Sequence, residues 1–405
     1  MESLRELYRI GPGPSSSHTL AVKNACLYYL KQYPHAEKYF VELCGSLALT
    51  GKGHMTDRII SSVFSADKVI IKFNKKMYDD KPNVMIFHTL DHNELNNEMV
   101  IISTGGGAIE IEGQSSLVDK NIYPHRSLKE IEDFCANNNI DFLQYVYHFE
   151  PDIKQYLLTV ADQMIKEIEN GLNSEGVLPG ELKLMKVARS LWIKSLECND
   201  DNIKQKLQIS AFAYAAMEEN ADGNTVVTAP TLGSCGVLSA ILRYYYQKGR
   251  KMEELVDGLA VAGIFGNIVK TNATISGAVG GCQAEIGTAC SMAAAFSAYL
   301  EKLPMKQIEY AAEIAMEHNL GLTCDPVGGY VQVPCIERNG QAALRSLDSM
   351  LYAKYLGEIR ENKVSFDMIV EAMNYTGQKL AMELKETSLG GLAEVVPIKK
   401  DPLGC

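Results

Sequence analysis

The chain has 405 residues, of which 46% are hydrophobic and 22% charged, with a formal net charge of −11. These proportions are typical of a folded globular protein, and an acidic chain has no electrostatic affinity for nucleic acid. Its N-terminus has no signal-like apolar run, and no stretch approaches 18 apolar residues, so we expect a cytoplasmic protein without a membrane span. Because the cytoplasm is reducing, the ten cysteines are expected to be core residues or ligands.

Residues 1–115 combine helix and strand patterns. Apolar residues recur at helical spacing from Thr19, after a serine-rich loop, and the pattern stops near Pro34. Segments rich in β-branched and aromatic residues follow and predict strands. They are residues 39–44, 68–73, 84–88, 99–103 and 108–111.

The rest of the chain is dominated by helical periodicity. Residues 116–124 have no strong pattern and are predicted to be a linker, and residues 125–405 are predicted to be nearly all helical, with a C-terminal tail over 393–405. The fold class is therefore α+β. We expect a small N-terminal α/β domain with a mixed or antiparallel sheet, followed by a larger, mostly all-α catalytic domain.

Three cysteines, Cys282, Cys324 and Cys335, lie in or beside breaks that contain Gly or Pro. Glycines allow a backbone to approach an iron–sulfur cluster closely, which makes these three candidate ligands. The other cysteines fit the pattern of small core residues, except Cys235, whose setting is ambiguous. They are Cys26, Cys44, Cys135, Cys198 and Cys290.

Ten sequence motifs occur in a specific order. The N-terminal part carries IGPGPSSSHT, GSLALTGKGHMTD and STGGG. The C-terminal part carries NSEGVLPG, EENADGNTVVTAPTLGSCG, KTNATISGAVGGCQAEIG, CSMAAA, MEHNLGLTCDPVGG, VQVPCIERN and ETSLGGLA. In these motifs the chain resembles the iron–sulfur-dependent bacterial L-serine dehydratases (L-serine ammonia-lyases), in a single-chain form with fused beta-type and alpha-type domains.

The resemblance implies a lyase that converts L-serine to pyruvate and ammonia with an oxygen-sensitive [4Fe–4S] cluster on Cys282, Cys324 and Cys335. It implies no pyridoxal phosphate. Three thiolate ligands leave one iron open as a Lewis acid for the substrate's hydroxyl and carboxylate.

Four side chains are candidates for the base that removes the α-proton. His54, in a Gly-flanked turn, is favoured, and His18 lies near a helix start that favours neutral imidazole. His88 ends an apolar strand, and Lys270 would need a lowered pKa.

Two loops are candidates for binding the charged ends of the substrate. Ser15, Ser16 and Ser17 precede a helix and offer hydroxyls and N–H groups to a carboxylate. Ser103, Thr104, Gly105, Gly106 and Gly107 form a similar nest. With these loops in one domain and the cysteines in the other, we expect the active site between the domains.

The chain ends at Cys405 in KKDPLGC. One interpretation is an accidental thiol at a frayed end. The other is that its thiolate or terminal carboxylate occupies the open iron when substrate is absent, which unchanged cluster spectra and kinetics after deletion would disprove. Gly- and Ala-rich helices are consistent with a homodimer.

Three alternatives remain. The same elimination on L-cysteine or L-threonine needs only a small change of the pocket. A pyridoxal-phosphate dehydratase would use Lys270 as its Schiff base and Gly105–Gly107 as a phosphate cup. A non-enzymatic iron–sulfur sensor would have Cys405 as the fourth ligand, but the charge balance offers no nucleic-acid surface.

Overall fold

The structure is a computed structural model that describes residues 1–114 and 121–398. Residues 115–120 and 399–405 lie outside the described residues, and so do most of the predicted linker and Cys405. No helix in the described ranges is both long enough and apolar enough to cross a bilayer.

The N-terminal region contains a five-stranded mixed sheet in the order β3-β2-β4-β5-β6. β2 and β3 pair in parallel, and the other neighbours are antiparallel. The strands of the described chain are β1 Ile10–Pro12, β2 Lys38–Gly45, β3 Val69–Asn74, β4 Asn83–Asp91, β5 Glu94–Gly105, β6 Ala108–Ile111 and β7 Thr225–Val227. The helices of this region are α1 Ala21–Gln32, α2 Ser46–Leu49 and α3 Thr56–Phe64, and a π-helical turn, Ser16–Leu20, leads into α1.

One face of this sheet is covered by α1 and α3. Alternate residues of β2, namely Tyr39, Val41 and Leu43, point into a core shared with both helices. The parallel pairing of β2 and β3 requires a crossover, and the segment containing α3 supplies it. The sequence patterns did not predict α3, because its residues TDRIISSVF are rich in β-branched side chains.

The C-terminal region is mostly helical. Its helices are α4 Leu128–Asn138, α5 Phe142–Phe149, α6 Ile153–Leu172, α7 Ala188–Glu197, α8 Asp201–Ala221, α9 Cys235–Gln247, α10 Met252–Asn272, α11 Gly277–Gly280, α12 Thr288–Leu300, α13 Met305–Glu317, α14 Cys335–Leu356, α15 Phe366–Lys379 and α16 Leu392–Val395. Short 3-10 or π turns lie at Leu4–Glu6, Leu232–Ser234, Gln283–Gly287, Val327–Gly329 and Met382–Leu384. α12 is buried almost all round and packs against α9, α10, α13 and α14, so it forms the centre of the bundle.

The N-terminal segment ties the two regions together. Leu4, Leu7 and Tyr8 are buried in the core of the helical region. β1 then pairs antiparallel with β7, which follows α8. The predicted fold class, a small region with a sheet followed by a larger helical one, is confirmed, whereas this insertion of the first residues was not anticipated. The division into 1–115, 116–124 and 125–405 stays a prediction.

Candidate active site

Three thiols from separate segments lie together in the helical region. Cys282 precedes the turn Gln283–Gly287, Cys324 follows α13, and Cys335 is the first residue of α14. Their exposed fractions are 4%, 5% and 8%. The Sγ atoms of Cys282 and Cys324 and a carboxylate oxygen of Glu285 all lie within 4.8 Å of one another.

The guanidinium of Arg338 neutralises part of the charge at these thiols. Arg338 follows Cys335 by one turn of α14 and donates hydrogen bonds to the carbonyl of Thr323 (2.6 Å) and to Asp325 (3.2 Å). A hydrogen bond from the Cys324 thiol, and then the positive charge of Arg338, lower the pKa of Cys282. The site therefore stabilises a thiolate at Cys282 even before any cation binds.

Glu285 is a carboxylate of the site that the sequence patterns did not single out. Its Oε1 accepts a hydrogen bond of 2.7 Å from the Thr231 hydroxyl. A Cβ atom on Gly277 would lie 2.5 Å from Glu285 Oε2 and 3.1 Å from Cys324 Sγ, so a larger residue there would displace the Glu285 carboxylate. Burial raises the pKa of Glu285 to about 7.

Two buried histidines of the N-terminal region form a stacked pair. His18, in the π-helical turn, and His54, in the turn before α3, have ring centroids 4.1 Å apart. His54 Nδ1 donates to the carbonyl of Thr50 (2.9 Å), so Nε2 carries the lone pair, and it has no hydrogen-bond partner within the described chain. Burial lowers the pKa of His54 to about 4, which keeps this ring neutral.

The ring of His18 is held on both nitrogens. Its Nε2 donates to the carbonyl of Ser46 (3.2 Å) and contacts the Thr50 hydroxyl (2.8 Å), and its Nδ1 accepts from the Ser15 hydroxyl (3.2 Å). Burial, and then neighbouring His54, lower the pKa of His18 well below 6.5. His18 is therefore a fixed, neutral ring beside the freer His54.

Glu386 completes the imidazole cluster and was also missed by the sequence patterns. Its Oε1 lies 3.7 Å from His18 Nδ1 and 3.7 Å from His54 Nε2. Its backbone N–H donates to the carbonyl of Cys324 (2.6 Å), and its carbonyl accepts from Ser46 (2.7 Å), so Glu386 links the thiols to the histidines. It adopts a left-handed φ of 57°, a strained conformation that is frequent at functional sites.

The geometry of this cluster favours acid–base chemistry over metal binding. The two imidazole planes are inclined by only 18°. Because a ring nitrogen's lone pair lies in the plane of its ring, the lone pairs of two nearly parallel stacked rings do not converge on one ion. The neutral rings and their shared carboxylate can instead accept and hold a proton.

The serine-rich loop lies beside this cluster. Ser15 contacts His18, and the Ser16 hydroxyl accepts a hydrogen bond of 2.7 Å from the N–H of Leu232 in the helical region. Ser17 is buried, and its hydroxyl has no recorded partner among the described residues. The loop therefore both joins the two regions and leaves one hydroxyl for a ligand.

The second predicted loop divides between two places. A Cβ on Gly105 would lie 3.4 Å from the Cβ of Ser276, the residue before Gly277, and the hydroxyls of Ser103 and Ser276 are both buried without a partner in the described chain. Thr104 and Gly107, by contrast, line a separate cavity of about 730 Å³.

Two of the four candidate bases lie away from this cluster. His88 lies on the open face of the sheet, opposite Phe40 and 3.6 Å from Glu98, because it points away from the side covered by α1 and α3. Lys270 lines the 730 Å³ cavity, where its ammonium binds Glu2 (2.6 Å) and the carbonyl of Glu6 (3.1 Å).

Comparison with known proteins identifies the family. Residues 3–63 match the family model of the serine dehydratase beta chain, and residues 58–393 match that of the alpha chain. The chain belongs to the serine dehydratase family. This confirms the predicted resemblance, the fusion of both chain types and the enzyme class, a lyase.

Curated relatives in this family align along nearly their whole length. The L-serine dehydratase of Haemophilus influenzae is 34% identical over 97% of this chain and 99% of the relative. L-serine dehydratase 1 of Escherichia coli is 35% identical over the same shares. The L-serine dehydratase of Streptomyces coelicolor is 35% identical over 96% of this chain and 98% of the relative.

Proposed function

We propose that this chain is an L-serine dehydratase that holds a [4Fe–4S] cluster on Cys282, Cys324 and Cys335 and forms pyruvate and ammonia. The observation that carries the proposal is that Glu386 connects a cluster of three buried thiols, through Cys324, to the unpartnered Nε2 of the buried His54. The names of the relatives, L-serine dehydratases, support both the substrate and the dehydration.

The donor set fits an iron–sulfur cluster. The three thiols are buried, and the glycine at position 277 leaves room for Glu285 beside them. Arg338 offers a positive charge that favours the thiolate form. When bound on three thiolates, such a cluster supplies an open iron that acts as a Lewis acid on the substrate's hydroxyl and carboxylate.

His54 acts as the base. Its Nδ1–H is fixed on the carbonyl of Thr50, so Nε2 takes the α-proton of L-serine, and the carboxylate of Glu386 at 3.7 Å stabilises the resulting imidazolium. Loss of the β-hydroxyl then leaves an enamine, which tautomerises to an imine and is hydrolysed by water to pyruvate and ammonia.

His18 positions this base rather than replacing it. Its two nitrogens are occupied by Ser46 and Ser15, and its ring stacks on His54. Ser103 and Ser276 carry buried hydroxyls without hydrogen-bond partners in the described chain, which suits them, together with the buried Ser17, to hold the substrate's carboxylate. We also propose that Cys405, in the C-terminal tail, competes with the substrate for the open iron.

Anaerobic reconstitution with iron and sulfide, followed by a pyruvate assay with L-serine, tests the function. Activity that is lost in air and regained with iron is expected, and Cys282→Ser should abolish both iron binding and activity. L-Threonine and L-cysteine are assayed in parallel. Full activity without iron, or activity with L-serine below that with either analogue, would refute the proposal.

A further inference from the structure

Glu285 is a carboxylate without a cationic partner at the reaction centre. Among the described residues no Lys, Arg or His forms a salt bridge with it, whereas nearby Arg338 is already bound to Asp325 (3.2 Å) and to the carbonyl of Thr323. A desolvated carboxylate is costly unless an opposite charge or several donors satisfy it. A cation placed beside Glu285 would therefore favour the ionised form of this carboxyl group.

The two oxygens of this carboxylate have different environments. Oε1 is fixed by the Thr231 hydroxyl at 2.7 Å and lies against Gly233. Oε2 accepts no recorded hydrogen bond from the described residues, and it lies on the side of Gly277 and Cys324. One oxygen thus orients the group, and the other is presented to whatever binds in front of the thiols.

The other buried carboxylate of the site is differently engaged. Glu386 Oε1 lies between the two imidazoles, 3.7 Å from His18 Nδ1 and 3.7 Å from His54 Nε2. It is only 6% exposed. Glu386 is thus committed to the histidines, which leaves Glu285 as the carboxylate available to a ligand.

We propose that Glu285 binds the ammonium group of the substrate and thereby selects α-amino acids over the corresponding hydroxy acids. The inference rests on the proposed function, in which the hydroxyl and carboxylate of L-serine have other partners and only the ammonium group lacks one. The ammonium group donates to Oε2 and supplies the missing positive charge.

The decisive comparison is between L-serine and L-glycerate. L-Glycerate keeps the carboxylate, Cα, Cβ and the β-hydroxyl of L-serine but has a hydroxyl in place of the ammonium group. Dissociation constants are obtained from the change that each ligand causes in the visible absorbance of the reconstituted, anaerobic holoenzyme immediately after rapid mixing, before L-serine is turned over. Iron and sulfide content is measured for every variant. Glu313→Gln, at a buried carboxyl on α13 outside the site, is the matched control.

Glu285→Gln is expected to weaken L-serine binding about 10- to 100-fold, the range for loss of a charged hydrogen bond. L-glycerate affinity should change by less than about threefold, since a hydroxyl does not need the negative charge. Glu313→Gln should change the affinity for neither ligand. Equal losses for both ligands, no loss for L-serine, or loss of the cluster from Glu285→Gln would each overturn the inference.

A second pair of variants guards against misfolding of Glu285→Gln. Glu285→Asp and Glu285→Asn have the same length and differ in charge. The Glu285→Asp variant should still bind L-serine in preference to L-glycerate, whereas Glu285→Asn should not. The same preference in both variants would count against ammonium binding by this residue. Failure of the proposed function is recognised separately, because the unsubstituted holoenzyme would then form no pyruvate from L-serine.

Discussion

The buried neutral His54 predicts a specific loss of stability in acid. Its folded pKa is about 4, against 6.5 for the exposed ring. The unfolded chain therefore takes up a proton as the pH falls through 6.5, and the folded chain does so only near 4. The stabilisation is complete above pH 6.5 and is lost progressively between pH 6.5 and 4.

The size of the effect follows from these two values. At pH 5 the linkage relation gives about 2 kcal/mol of destabilisation from this single ring, relative to pH 7. His54→Gln removes the titrating group. The difference in free energy of unfolding between pH 7 and pH 5 should thus be smaller in the variant by about 2 kcal/mol.

Urea unfolding of the cluster-free chain at both pH values measures this difference. His92→Gln, at a side chain that is 90% exposed, is the control and should leave the pH dependence unchanged. His18 stays in both proteins, and its pKa is lowered less when His54 is gone, so it changes the difference in the same direction. Equal pH dependence in the unsubstituted chain and His54→Gln would refute the burial argument.

Two further substitutions test the packing of the site and its surroundings. Gly277→Ala places a methyl group 2.5 Å from Glu285 Oε2. It should lower the free energy of unfolding in denaturant by about 1–3 kcal/mol and reduce the iron content after reconstitution. Unchanged iron content would contradict the close contact. Lys270→Met removes the ammonium that holds Glu2 and the carbonyl of Glu6, so it should lower the melting temperature while serine turnover by the folded enzyme persists. Loss of serine turnover by a variant with full cluster content would instead support Lys270 as a catalytic residue.

The sheet and most helices could be predicted because their periodicity is local. The predicted strand 39–44 lies within β2, Lys38–Gly45, and the helical pattern predicted from Thr19 to near Pro34 encloses α1, Ala21–Gln32. The placement of Leu4 and Leu7 in the helical core could not be predicted in this way. A short apolar segment does not reveal which of two cores it joins.

The site residues separate along the same line. His18 and His54 are candidates in the sequence because each lies in a distinctive Gly- or Ser-rich loop. Their stacking contact is visible only in the structure. His88 lies apart from them, since strand alternation places it on the open face of the sheet. Glu285 and Glu386 lie in two of the quoted motifs, KTNATISGAVGGCQAEIG and ETSLGGLA, but they are 101 positions apart, and only the fold makes them neighbours of the same thiols.

The charges of the assembled site explain why these two glutamates matter. Three thiols and two carboxylates interact in the interior, and Arg338 is the cation whose charge acts on the thiols and on Glu285. Proximity of Glu285 further raises the pKa of Glu386 after burial has done so, so an ionised Glu285 disfavours the ionisation of Glu386. A ligand that brings a positive charge to Glu285 weakens this repulsion and favours ionised Glu386. Ionised Glu386 stabilises the protonated form of His54. Binding of the substrate's ammonium group would in this way strengthen the base that removes the neighbouring α-proton.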